Sequence, residues 1–455
     1  MNSSVDFFLD KLQKAVKSGA QYADIYVQSG EGHSVHFEDG KIDETSSSTA
    51  DGSGSRIIVG GRTFYSHAPG ASAASVAPAF ERCAEMSGLS LSGGAAPEGV
   101  LIENTKPPVA QPDASFFREI DEAIKKESPY IRQSSYRYTV SRRRVLVIKP
   151  DGTLAEDERC YTSFAVQVIA ERGGLVQTGS ERRCMTLPQE SFWNGATPLE
   201  LAQAALRRAL LMLDAKPCPA GKMRVLMAGE AGGTIVHEAC GHGLEADIVE
   251  KDYSTYRGMI GEKVAHESVT MVDGPLTDGL YGDYRFDDEG TPAQRTVLIE
   301  NGVLKRYLTD VLSSQLYGLP LTGNGRRESY RCVPVPRMSN TYLMPGRDDI
   351  DTMLERTEKG LFVKKMGGGE VDPTSGDFVF YVSEAYLIEN GRLGSPVRGA
   401  ILTGNGPEAL RNISALGDNL VMDPGMCGKS GQSVPVTDGQ PSMLIEGLTV
   451  GGSEA

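Results

Sequence analysis

The stretch Gly232-Gly233-Thr234-Ile235-Val236-His237-Glu238-Ala239-Cys240-Gly241-His242 decides how the 455-residue chain is read. The apolar run over 223–227 before it reads as a short strand, and two glycines break that strand before a helix starts. Two imidazoles close together on a helix, with a carboxylate beside the first, follow the logic of a zinc hydrolase. The imidazoles hold the metal. The glutamate is not a ligand and takes a proton from the metal-bound water, whose pKa the ion lowers to about 7. The spacing is unusual. Side chains four residues apart lie about 40° apart around an α-helix, whereas five residues give about 140°. The two rings therefore meet only if the helix carries a bulge or unwinds, and Gly241 is where such a distortion costs least. Cys240 reads as a small packing residue. Catalytic zinc takes three protein ligands and a water, so a third ligand is needed. Its candidates are Glu245, Asp247, His266 and Cys427, the last within Asp423-Pro424-Gly425-Met426-Cys427-Gly428-Lys429, which reads as a glycine-flanked loop.

Working outward, the chain divides into three modules. In 1–91, Ser4 caps a helix with Phe8, Leu12 and Val16 on one face, ended by Gly19. A strand over 22–28, a hairpin at Gly60-Gly61 and a helix over 73–86 follow. The Gly-, Ala- and Pro-rich stretch 90–112 reads as a linker. The middle module, 113–215, opens with a helix to about 126 and continues with strands turning at Pro150-Asp151-Gly152 and Gly173-Gly174. It closes with a helix announced by Thr197-Pro198-Leu199-Glu200, an N-cap, a first-turn proline and a capping-box glutamate. The third module, 222–455, is mostly antiparallel β around the metal-site helix, with hairpins at Asn301-Gly302 and Asn390-Gly391 and a single further helix over 348–359. The fold class predicted is α+β: helix-and-strand modules followed by a β-rich C-terminal domain.

Composition narrows the function. With 46 Lys plus Arg against 60 Asp plus Glu, the net charge is -14, which argues against a nucleic-acid partner. No run approaches the ~20 apolar residues of a membrane span, and Asp6 and Asp10 interrupt any signal-peptide pattern. A cytoplasmic protein is expected. Seven scattered cysteines do not suggest a disulfide framework.

The run 232–247 closely resembles the TldD/PmbA family of metalloproteases, in its TldD-type branch. The likeness continues through Asp287-Asp288-Glu289-Gly290-Thr291-Pro292, Thr322-Gly323-Asn324-Gly325-Arg326-Arg327-Glu328-Ser329-Tyr330 and Ser383-Glu384-Ala385-Tyr386-Leu387-Ile388-Glu389-Asn390-Gly391. It ends with Cys427-Gly428-Lys429-Ser430-Gly431-Gln432 and Leu448-Thr449-Val450-Gly451-Gly452. By this resemblance His237, His242 and Cys427 match the family's zinc ligands, one ion per chain, and Glu238 matches its general base. The segment before Cys427 looks shorter than in many relatives. The resemblance also implies hydrolysis of unfolded peptides or leader segments by a homodimer, or by a heterodimer with a PmbA-type subunit.

Around this centre, Glu245 and Asp247 are candidate acceptors for the ligand imidazoles, and His266 is a candidate donor to the oxyanion. His33, His36 and His67 receive no role. The 52–57 stretch offers close backbone approach to an extended peptide. Mixed imidazole and thiolate ligation suits zinc. The competing readings are a peptide-binding scaffold with a structural zinc, a small-molecule amidase, and a cysteine protease built on Cys427, which leaves Glu238 unexplained.

Overall fold

The computed structural model describes residues 3–91, 94–102, 106–276 and 279–452. Strands β1 (Tyr22–Glu38), β2 (Lys41–Thr49), β3 (Gly52–Val59), β4 (Arg62–Pro69), β5 (Ile131–Ile148), β6 (Leu154–Arg172) and β7 (Leu175–Met185) make one antiparallel sheet. Its order is β4-β3-β1-β5-β6-β7, with β2 attached to β1. The long strand β1 joins the parts. Its first half pairs with β3 and its second half with β2, while β5 runs along its other edge. Strands from before and after the 90–112 stretch therefore share one sheet. Of that stretch, 92–93 and 103–105 lie outside the described residues. The alternation over 22–28 marks only the start of β1. The Ser-, Gly- and His-rich continuation to Glu38 has little strand propensity of its own and is held by pairing on both sides.

Helices cover this sheet in two patches. Helix α1 (Ser3–Lys17) and helix α2 (Ala73–Met86) bury Phe8, Leu12, Val76 and Phe80 against Ile25, Val27 and Ile57. Helix α3 (Phe116–Glu127) and the helix Pro198–Asp214 bury Phe117, Ile120 and Leu206 against Tyr136 and Phe164. Ser4 lies inside the first turn of α1 and is buried, so it does not cap that helix from outside. Thr197 and Glu200 form the reciprocal capping box expected of them.

In the C-terminal part, strands Lys359–Val371, Gly221–Met227, Met443–Gly451, Ile401–Asn405 and Asp377–Glu389 neighbour one another in that order. Asp377–Glu389 pairs back onto Lys359–Val371, closing a five-stranded ring. Within it only Lys359–Val371 and Gly221–Met227 run parallel. A second sheet ends in the hairpin of Val421–Lys429 and Gln432–Gln440, and the latter strand lies parallel to Asn340–Leu343. At both Asn301-Gly302 and Asn390-Gly391 the two residues have positive φ, as tight hairpins require. Among the short helices that were not expected are Val311–Tyr317 and Gly406–Arg411. They span too few residues to show a 3.6-residue periodicity, and Asp310 and Asn405 cap them.

The first sheet and the C-terminal part meet through buried charges. Arg56 on β3 pairs with Asp24 on β1 and with Glu289, and Arg159 on β6 pairs with Asp157 and, at 3.0 Å, with Asp288. The open backbone of β3 is already taken from within the chain: a Cβ at Gly52 would lie 2.3 Å from the Tyr330 ring. The expectation of a peptide there is corrected accordingly. Among the described residues, no helix is long and apolar enough to cross a membrane.

Candidate metal centre

The chain leaves strand Gly221–Met227 and enters a composite helical segment that packs against both C-terminal sheets. Ile235, Val236, Cys240 and Leu244 share a core with Val225, Leu361 and Val363 on one side and Met338, Val434 and Val436 on the other. The segment changes pitch as it goes: Thr234–Val236 is α-helical, His237–Gly241 forms a π turn, and His242–Leu244 tightens to a 3-10 turn. The backbone N–H of His242 donates to the carbonyl of His237. An i→i+5 bond stacks residues five apart just as the α-helical bond stacks residues four apart. The distortion demanded by the spacing is therefore a wide turn, and it brings the ring centroids of His237 and His242 to 5.0 Å at 86°.

Gly241 has ordinary right-handed helical dihedrals, so the turn does not depend on its backbone freedom. Its requirement is space: a Cβ there would stand 2.1 Å from Met338 Sδ. Cys240 is buried in the apolar core, and burial pushes its thiol up to about 12.

Cys427 arrives from 185 residues away, on a regular strand and not in a loop. Ser430 and Gly431, both at positive φ, turn that strand back into Gln432–Gln440. The Cys427 Sγ lies 3.4 Å from His242 Nε2. One donor atom from each of His237, His242 and Cys427 falls within 4.8 Å of the others, and all three residues are buried. Burial alone would raise the Cys427 thiol, but the two imidazoles outweigh it and hold the thiol well below its usual range. Glu238 is the most open member. Its side chain is 30% exposed, with Oε2 3.9 Å from His242 Nε2. Burial lifts its carboxyl above the ordinary value, and His237 and His242 only partly oppose this.

Each imidazole is held from behind by a carboxylate. His242 Nδ1 lies 2.9 Å from Glu245 Oε2, and His237 Nδ1 lies 2.6 Å from Asp438 Oδ1. Burial would lower His242, but Glu245 and Cys427 overcome it and raise the ring to about 9. Burial would likewise raise Glu245, yet Lys429 and His242 bring it down to about 2.

The expected acceptor Asp247 is corrected. The chain is extended at Glu245 before the helix Ala246–Glu250 starts, and Asp247 meets Lys429 Nζ at 2.6 Å instead of a ring. His266 also stands outside the cluster, with its Nδ1 2.9 Å from the Ser268 hydroxyl. Asp438 and Lys429 were not singled out by the sequence. The signals lay in strand geometry: Lys429 is two residues beyond Cys427 and so on the same strand face, while Asp438 returns on the partner strand.

Two buried imidazoles, each with its second nitrogen anchored, and one depressed thiol form a donor set suited to zinc. Comparison with known proteins agrees with this class of site. Models of the PmbA/TldA metallopeptidase family match along the chain: domain 1 over residues 23–87, the central domain over 104–213 and the C-terminal domain over 220–452. The chain is 36% identical over 451 residues to a metalloprotease TldD homolog of Buchnera aphidicola, covering 95% of this chain and 93% of that protein. It is similar to the same extent, with the same coverage, to a metalloprotease TldD homolog of Haemophilus influenzae. The crystal structure of TldE from Thermococcus kodakarensis shares the fold, with a TM-score of 0.76 at 19% identity over 98% of this chain and 100% of that one. The chain belongs to the PmbA/TldA metallopeptidase family.

Proposed function

We propose that this chain is a zinc-dependent peptidase that hydrolyses amide bonds of unfolded peptides or leader segments, with Glu238 as general base. One zinc per chain would be held by His237, His242 and Cys427. The observation that carries the reading is the meeting of these three donors within 4.8 Å beside a partly open glutamate. Such an ion supplies Lewis acidity toward the scissile carbonyl and acidifies a water. The chain's own groups do the rest. Asp438 and Glu245 fix the rings so that their other nitrogens face the shared centre. Glu238 takes the proton of the attacking water and returns it to the leaving amine, a role that a carboxyl raised by burial suits. Three clustered protein donors, where structural zinc has four, support catalysis over scaffolding.

The working unit we propose is a homodimer or a heterodimer with a PmbA-type subunit. The shared fold with TldE supports a partner of that kind. The test is Glu238→Ala, assayed on an unstructured fluorogenic peptide with zinc content measured in parallel. Cleavage falls by about 10²–10⁴-fold with zinc retained. Undiminished cleavage overturns the assignment of the base.

A further inference from the structure

The charge arrangement behind His242 is larger than holding one ring requires. The Lys429 side chain is only 8% exposed. Its Nζ meets three acceptors, one for each N–H: Glu245 Oε2 at 3.0 Å, Asp247 Oδ1 at 2.6 Å and the Pro336 carbonyl at 2.8 Å. The Glu245 oxygen it touches is the same one that His242 Nδ1 engages. Glu245 is fully buried, and its other oxygen has no hydrogen-bond partner among the described residues. A carboxylate in that position is costly unless a cation stands against it. Lys429 is also delivered by the strand that delivers Cys427, two positions on and immediately before the Ser430-Gly431 turn. One strand end thus brings a sulfur to the front of the centre and an ammonium to its back.

We propose that Lys429 is a positioning residue that, through Glu245, holds the His242 ring with Nδ1 protonated and Nε2 turned to the metal. This rests on the reading of His237, His242 and Cys427 as a metal centre. The alternative is an ion pair that only pins the end of strand Val421–Lys429. The two differ in one respect: a positioning role passes through Glu245, and a pin does not.

The experiment uses the full-length protein loaded with Co(II), its visible spectrum, and Co(II) affinity by competition with a chromogenic chelator. Lys429→Met should weaken affinity by about 10- to 100-fold and shift the ligand-field bands. Lys429→Arg should recover most of both. In a Glu245→Gln background, adding Lys429→Met should change neither. That last comparison also decides the question should the single Met variant fail to fold, because in the double variant position 245 carries no charge and only the partly exposed Asp247 loses a cation. A folded Lys429→Met protein with wild-type affinity and spectrum overturns the proposal. So does a loss of equal size in the Glu245→Gln background. Wild-type protein that shows no thiolate-to-cobalt charge transfer overturns the metal reading beneath it, a failure distinguishable from that of Lys429 alone.

Discussion

The two imidazoles at the centre are anchored in contrasting ways. Behind His242 the arm is dry: Glu245 is fully buried and answered by Lys429. Behind His237, the Asp438 side chain is 14% exposed, and no lysine or arginine is paired with it among the described ion pairs. Two cations, Arg182 and Lys365, are paired with its cross-strand neighbour Asp423. They line a cavity of about 430 Å³ between the first sheet and the C-terminal part. A carboxylate that keeps some contact with water does not need a dedicated counter-charge, whereas one sealed in the core does. The same job, fixing a ring by its Nδ1, is therefore tied to a lysine-compensated buried carboxylate in one arm and to a single carboxylate–imidazole pair in the other, where burial still raises the Asp438 carboxyl.

This contrast can be broken most forcefully at Glu245. Glu245→Ala leaves Lys429 and His242 facing each other without their shared anion. Breaking a buried pair in this way costs about 3–5 kcal/mol, read as a large drop in melting temperature by calorimetry. A melting point close to wild type would show that the dry arm is not structural. The pH dependence of the metal-free protein gives a second handle of smaller size. His242 is raised from 6.5 to about 9 in the folded chain. The stability it contributes is fully present below about 6.5 and lost as pH rises through 9, on the order of 3 kcal/mol. Urea unfolding of chelator-treated protein at pH 6 and pH 10 reads this together with the same-signed shift of His237 and the opposite one of Cys427, so the His242 share is the part of the difference that Glu245→Gln removes.

The open arm should respond differently. Asp438→Asn should weaken zinc binding by about 10- to 100-fold, or roughly 1.4–2.7 kcal/mol, with a smaller drop in the metal-free melting point than Glu245→Ala, because it removes one carboxylate–imidazole pair and strands no lysine. Equal losses of fold stability in Asp438→Asn and Glu245→Ala would erase the distinction between the arms. The smallest effect is expected at His266, which contacts neither arm. His266→Ala should change stability by no more than about 0.5 kcal/mol and leave peptide cleavage within twofold.

What the sequence made legible, and what it did not, follows from the range of the interactions. Helix α2 over Ala73–Met86 and the hairpins at Asn301-Gly302 and Asn390-Gly391 are written in local signals, and the structure has them where those signals stand. The five-residue spacing of the rings announced a distorted turn, since no regular helix could make them meet. The reach of β1 to Glu38 was hidden, because it depends on pairing with strands far along the chain. Asp438 was hidden for the same reason, standing 201 residues from the ring it holds. Lys429 could have been found by strand alternation, had Cys427 been placed on a strand and not in a glycine-flanked loop. Gly241 shows a different limit: its position was marked correctly as special, but the cause is Met338 pressing on it from a distant segment.

All of this depends on two rings and a distant thiolate sharing one ion, and X-ray absorption at the zinc edge of the purified protein tests that most directly. The account predicts one zinc per chain with a single sulfur at about 2.3 Å, two imidazole nitrogens at about 2.0–2.1 Å, and a further light atom. A zinc shell without sulfur, or protein that retains no zinc after purification free of chelators, would contradict it.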